Sequence, residues 1–244
     1  MTTLKDQSLT SGQWTAAEKQ RLRRRLLAWY VKHERDLPWR RSSDPYRVWL
    51  SEVMLQQTQV ATVRDYFRRF VREFPTVHKL AAADEQEVLR LWEGLGYYRR
   101  ARQLHAAAQQ VVAEHGGRFP QEVRELQRLP GVGRYTAGAI ASIAFDRRAP
   151  ILEANTIRLL SRLTGYRDDP LKAAGQRLLW ATAEEILPTK HVARFNQALM
   201  ELGSLVCTPN EPKCDACPLA SLCAANAAGL QKQIPRAKSQ QQYT

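Results

Sequence analysis

The chain has 244 residues, 44% hydrophobic and 25% charged, enough for a buried core in one large or two modest domains. Lys and Arg number 37 against 24 Asp and Glu, a net charge of +13, so the partner this composition favours is a polyanion, most simply a nucleic acid. No run approaches the ~18 consecutive apolar residues of a membrane span, the polar N-terminus lacks the apolar segment of a secretory signal, and no basic helix carries bulky apolar residues opposite its charges, which sets membrane classes aside.

Residues 1–14 read as a disordered N-terminus. From 15 onward the pattern is helical, with Leu22, Leu26, Trp29, Tyr30 and His33 recurring at three to four residues. Leu37-Pro38-Trp39 is expected to end that helix, and Asp44-Pro45 to open a second over about 46–57. A third carries Val60, Val63, Phe67, Phe70, Val71 and Phe74 on one stripe and stops at Pro75. Further helical patterns cover about 84–92, 99–114, 121–127, 134–145, 155–164, 171–186 and 190–206. No convincing alternating strand pattern occurs, so the expected class is all-α. From Gln231 the chain turns polar around Pro235 and reads as a linker or tail over 231–244.

All four cysteines fall together, as Cys207-x6-Cys214-x2-Cys217-x5-Cys223. A disulfide scaffold would spread its cysteines and need an oxidising compartment. Clustering points instead to metal inside a reducing cell. Pro209, Pro212 and Pro218 break helix here and let the loop wrap around one centre. Four thiolates suit tetrahedral zinc or an iron–sulfur cluster, and the chemistry alone does not separate the two. Lys213 in the loop, with Arg236 and Lys238 after it, could also present positive charge to phosphates.

Leu129-Pro130-Gly131-Val132-Gly133-Arg134-Tyr135 joins two helical segments. Both glycines permit backbone conformations closed to other residues, and their N–H groups with the following helix start offer a seat for a phosphate oxygen. A Gly-x-Gly turn alone is equally an ordinary tight turn. Here it precedes a helix of small residues and a four-cysteine cluster in a basic chain.

Several stretches together resemble the adenine DNA glycosylases of the MutY type, within the endonuclease III or helix-hairpin-helix glycosylase superfamily. They are LPWR (37–40), DPYRVWLSEVMLQQTQV (44–60), WEGLGYYRRAR (92–102), LPGVGRYTAGAI (129–140), RFNQALMELG (194–203) and the cysteine loop. The resemblance spans roughly 15–225. It implies two helical lobes: residues 37–149 as a six-helix barrel with the hairpin at about 122–140, and 15–36 with 150–230 as a second lobe. That lobe would hold a [4Fe–4S] cluster on Cys207, Cys214, Cys217 and Cys223, choosing the cluster over zinc.

The resemblance also implies roles. Glu52 aligns with the glutamate that protonates adenine and assists water attack; its apolar neighbours Val48, Trp49, Val53 and Leu55 are expected to desolvate it and raise its pKa. Tyr135 stands where strand-cleaving relatives carry a Schiff-base lysine; a phenol forms no imine, so base removal without strand cleavage is implied. Thymine-mismatch glycosylases of the same superfamily also carry tyrosine there. Gln56, Gln57 and Tyr97 match residues that fill the gap left by a flipped base, with core packing expected for one of Tyr97 and Tyr98. Trp39, Arg40 and Gln197 match the adenine pocket. Gly131, Gly133 and Arg134 match the DNA-backbone contact, and Arg99, Arg100 and Arg102 are taken as phosphate or surface contacts.

One position departs from the pattern. The family's leucine-aspartate-glycine-asparagine is Leu152-Glu153-Ala154-Asn155 here. The added methylene moves the second catalytic carboxylate by about 1 Å, which reacting geometries feel. Three readings stay open: the site has adjusted to Glu153, catalysis is crippled, or the role has changed. Asn155 is expected to orient the carboxylate, and Asp146 is a poor substitute for it. Full-length members carry a further Nudix-like domain that helps recognise 8-oxoguanine. A chain ending at Thr244 is expected to be a truncated form, or to excise adenine with weaker discrimination. Double-stranded DNA with a mismatched or oxidised pair is the implied partner of a monomeric, cytoplasmic, nucleoid-associated protein. The alternatives are a thymine or uracil mismatch glycosylase and a catalytically impaired mismatch-DNA binder.

Overall fold

The computed structural model describes residues 14–236, and they are all-helical, with no strand among them. Most of the expected N-terminal lead-in and the end of the expected tail, including Lys238, lie outside the described residues. The helices are α1 (Ala16–His33), α2 (Pro45–Leu55), α3 (Val60–Glu73), α4 (Val77–Ala81), α5 (Glu85–Trp92), α6 (Arg99–His115), α7 (Val123–Leu126), α8 (Arg134–Phe145), α9 (Ala154–Thr164), α10 (Ala173–Ile186), α11 (Val192–Leu205) and α12 (Ala224–Ala227). Pro38–Arg40 forms a single 3-10 turn, with α1 ending before it, at His33. The short α4 and α12 had no signal in the sequence, because one turn shows no period.

Two compact units divide the described chain: Arg35–Ala149, and the N-terminal segment to Glu34 together with everything from Pro150. In the first, α2 packs along α8, whose buried residues include the small Ala137, Gly138, Ala139 and Ala141. The α3 stripe of Val63, Phe67 and Phe70 faces a core that includes Trp49 and Trp92. Asp44 caps α2 by accepting the N–H of Tyr46, and Pro45 occupies its first turn, where a missing N–H is harmless.

In the second unit α1 starts on a capping box, Thr15 with Glu18, and buries Leu22, Leu26, Trp29 and Tyr30. The α11 helix packs against α1 and α9. At Gly203 a side chain would meet Asn155 Cβ at 2.8 Å and the Asn155 carbonyl at 2.9 Å, so only glycine lets α11 come this near α9. Two residues expected outside the ordered core are held in place: Trp14 leans on this cluster, and Ile234, in the expected tail, is buried. Each anchors its segment by burying apolar area, a gain independent of the polar residues around it.

Candidate active site

Glu52 lies midway along α2 and is 6% exposed. The Tyr135 hydroxyl, at the first turn of α8, donates a hydrogen bond to Glu52 Oε2, across 83 residues of sequence. The pairing follows from the packing of α2 along α8. Next to it, the Gln56 amide reaches Thr136 Oγ1 at 3.5 Å.

The hairpin between α7 and α8 is anchored by buried Leu129 and Val132, while Gly131, Gly133 and Arg134 are exposed. The two glycines differ. Gly131 has φ +73°, a left-handed conformation that favours glycine. Gly133 is the N-cap of α8 with φ −81° and ψ 179°, backbone any residue adopts, and a Cβ there would meet nothing within 4 Å. The expectation that both glycines are needed for backbone freedom is therefore corrected at Gly133.

In the other unit, Glu153 is the N-cap of α9. Its Oε2 accepts the Asn155 backbone N–H at 2.9 Å and the Asn155 side-chain amide at 3.1 Å; its Oε1 accepts the Thr156 N–H at 2.9 Å. Burial pushes the Glu153 carboxyl above the ordinary range, and outweighs the N–H bonds and Arg158, which act the other way. Arg158 in turn donates to Asn155 Oδ1 at 2.8 Å and to the carbonyls of Cys207 and Gly203. Asn155 thus bonds the Glu153 carboxylate, and the Arg158 guanidinium bonds Asn155. Asp146 is the left-handed C-cap of α8, at φ 51°.

Residues 50–185 match the HhH-GPD family, described as HhH-GPD superfamily base excision DNA repair protein. This chain belongs to the HhH-GPD superfamily. It is 49% identical to an adenine DNA glycosylase of Rattus norvegicus over 84% of the chain and 41% of that protein. To the adenine DNA glycosylase of Homo sapiens it is 46% identical over 89% of the chain and 42% of the relative. The chain spans about two-fifths of the length of these relatives. Among solved structures it resembles a thermostable thymine-DNA glycosylase, with a TM-score of 0.78 at 28% identity, over 88% of this chain and 100% of that one. A non-covalent endonuclease III–DNA complex, at 22% identity and a TM-score of 0.73 over 90% of this chain and 100% of that one, shares the fold.

Other residues singled out in this HhH-GPD chain are distributed unevenly. Gln57 and Tyr97 are both exposed and both left-handed, at φ 57° and 49°. Tyr97 is 63% exposed and Tyr98 42%, so neither is core and the expected burial of one is corrected. The short Gly94–Tyr97 turn projects both rings outward. Arg99 and Arg102 are on the surface, but Arg100 is 8% exposed and bonded to backbone carbonyls, not placed for a phosphate. Periodicity gave no hint of it, since a buried arginine reads as a surface one. Trp39 lies in the core edge-on to Phe67 at 5.5 Å, and Arg40 is half-buried with its guanidinium toward the Arg35 carbonyl. Gln197 on α11 is half-buried, its Oε1 accepting the Tyr30 hydroxyl at 3.1 Å.

The four cysteines line one small cavity, shared with Leu159, Arg162 and Gln231. Among the described residues no three His, Cys, Asp or Glu converge as a site for one metal ion. Arg162, 2% exposed, frames the loop: it donates to the carbonyls of Thr208, Pro209 and Ile234 at 2.7–2.8 Å, and to Cys207 Sγ at 3.3 Å. Burial, then mutual repulsion of the sulfurs, pushes the Cys217 thiol up to about 12 and raises Cys214 and Cys223. A metal's positive charge reverses that preference, since a coordinating thiol is deprotonated outright.

Proposed function

We propose that this chain carries the activity of a monofunctional adenine DNA glycosylase, hydrolysing the N-glycosidic bond of adenine mispaired with 8-oxoguanine or guanine in double-stranded DNA. The observation that carries the reading is the buried Glu52 carboxyl bonded to the Tyr135 hydroxyl beside the hairpin. Glu52 delivers a proton to the departing adenine and then assists the water that adds at C1′. Bond cleavage and water addition sum to hydrolysis. Tyr135 orients Glu52 and has no amine with which to form an imine, so the strand stays intact. Glu153, held by Asn155, supplies the negative charge that stabilises the sugar cation.

The exposed glycine N–H groups and Arg134 receive the DNA backbone; the open space at Gly133 leaves room for a phosphate to approach the α8 N-terminus. Gln56, Gln57 and Tyr97 enter the gap left by the flipped base. Gln197, Arg40 and Trp39 are assigned to recognition of the adenine base. Relatives named adenine glycosylase, at 46–49% identity, favour adenine over the thymine named for a structural neighbour at 28%. A [4Fe–4S] cluster is the cofactor this reading assigns to Cys207, Cys214, Cys217 and Cys223. Four sulfurs lining one cavity suit metal–sulfur ligation, and the Arg162 guanidinium that donates to Cys207 Sγ suits a thiolate there. When bound, the cluster supplies metal–sulfur bonds that fix the loop. The protein acts as a monomer within the cell, at the nucleoid; no described helix is long and apolar enough to cross a membrane.

The test is single-turnover incubation with duplexes carrying A·8-oxoguanine, A·G, T·G or A·T, with and without alkali. Adenine release from the first two, strands intact before alkali, is expected. Release of thymine alone overturns the base assignment, and tight binding with no release makes the chain a mismatch binder. Iron and sulfide analysis checks the cluster, and zinc in their place overturns it.

A further inference from the structure

The Arg100 guanidinium is buried without a carboxylate among its hydrogen-bond partners, and its bonds run to two separate segments. Nη1 donates to the carbonyls of Val53 at 3.0 Å, Met54 at 3.1 Å and Gln56. These belong to the last turn and C-cap of α2, the negative end of the helix. Nη2 donates to the carbonyls of Leu95 at 3.1 Å and Gly96 at 3.3 Å, and to Thr58 Oγ1 at 3.3 Å. The guanidinium also lies over the ring of Trp92, 5.3 Å from its centroid, and over that of Tyr97 at 5.5 Å.

Two of these carbonyls have a particular place. A carbonyl and the next residue's N–H share one rigid peptide plane. By holding the Gln56 and Gly96 carbonyls, Arg100 sets the planes that lead into Gln57 and Tyr97. Those are the residues of these segments that adopt left-handed backbone without being glycine. Such a conformation is unfavourable for a side-chain-bearing residue and persists only where its surroundings impose it.

We propose that Arg100 is a positioning residue that locks the Gln56–Gln57 turn and the Gly94–Tyr97 turn into one preformed wedge. The inference rests on the reading above that Gln57 and Tyr97 enter DNA. The planar fork is what the task requires: a guanidinium bonds two segments at once, while a lysine ammonium, a point donor, reaches one.

The test uses Arg100→Lys and Arg100→Met with two readouts. In the free protein, amide hydrogen exchange at 57–58 and 97–98 is expected to speed up together in both variants, with α8 amides unchanged. On a duplex carrying an uncleavable abasic-site analogue, Arg100→Lys is expected to bind about tenfold more weakly or worse, the scale of lost hydrogen bonds to a charged group. In a Tyr97→Ala background the same change is expected to lose most of its effect, because the wedge it positions is gone. Exchange that rises in one turn but not the other, or an equal binding loss in both backgrounds, overturns the proposal. Wild-type binding that Tyr97→Ala leaves unchanged removes the wedge itself. Adenine excision enters neither readout, so failure of the base assignment is distinguishable from failure here.

Discussion

The two glutamates assigned to chemistry are held in opposite ways. Glu153 is fixed by its own neighbourhood: its carboxylate bonds the N–H groups of Asn155 and Thr156, all within three residues. Glu52 is fixed by the fold, since its Tyr135 partner arrives from a helix 83 residues away. A locally capped carboxylate is also a structural element, so removing it disturbs a helix. A carboxylate placed mid-helix carries little of the backbone, so removing it disturbs the chemistry.

The sharpest break in that comparison is Glu52→Gln. It is expected to lower single-turnover excision by about 100-fold to 10,000-fold, the range for a general acid, while binding to mismatched DNA persists. Excision at the wild-type rate would remove Glu52 from the mechanism. Tyr135→Phe deletes the hydroxyl and keeps the ring. A hydrogen bond to a charged group is worth about 1.5–3 kcal/mol, so excision is expected to fall roughly 10-fold to 100-fold with melting temperature little changed. A melting loss with unchanged rate would recast the pair as structural.

At Glu153 the order reverses. Glu153→Ala is expected to destabilise the protein by about 1 kcal/mol through loss of the N-cap, read by denaturant unfolding, whereas Glu153→Asp keeps a good cap and preserves or raises excision. Loss of excision in the aspartate variant, with stability intact, would show a site built around the longer side chain. The smallest effect expected is in pH dependence. Because burial raises the folded-state pKa of Glu153, its contribution to stability is full below its unfolded value and is lost as pH rises through the raised one. The melting temperature of Glu153→Gln relative to wild type is therefore expected to climb as pH rises above the ordinary glutamate range. A fall would mean that the N–H bonds outweigh burial.

Inward-turned arginine divides along the same line. Arg158 and Arg162 face partners that the cysteine spacing and the Leu-Glu-Ala-Asn phrase already draw attention to. Arg100 sits in a run of surface-looking arginines, and nothing in YYRRAR tells which one turns inward. Tyr97 and Tyr98 mislead in the opposite sense: aromatic residues next to a helix suggest core, but both are exposed, Tyr97 with a positive φ.

The sequence by itself determined the helical class, because apolar residues recurring every three to four positions can bury one face only as helices. It determined that four thiols lie close along the chain, and that a phenol replaces an amine at position 135, since these are matters of residue type and spacing. Only tertiary structure decided that Glu52 meets Tyr135, that Arg100 holds two turns, and that Gly133 needs no glycine-specific backbone. Each of those depends on how close two distant segments come or on one dihedral angle, and side-chain periodicity encodes neither.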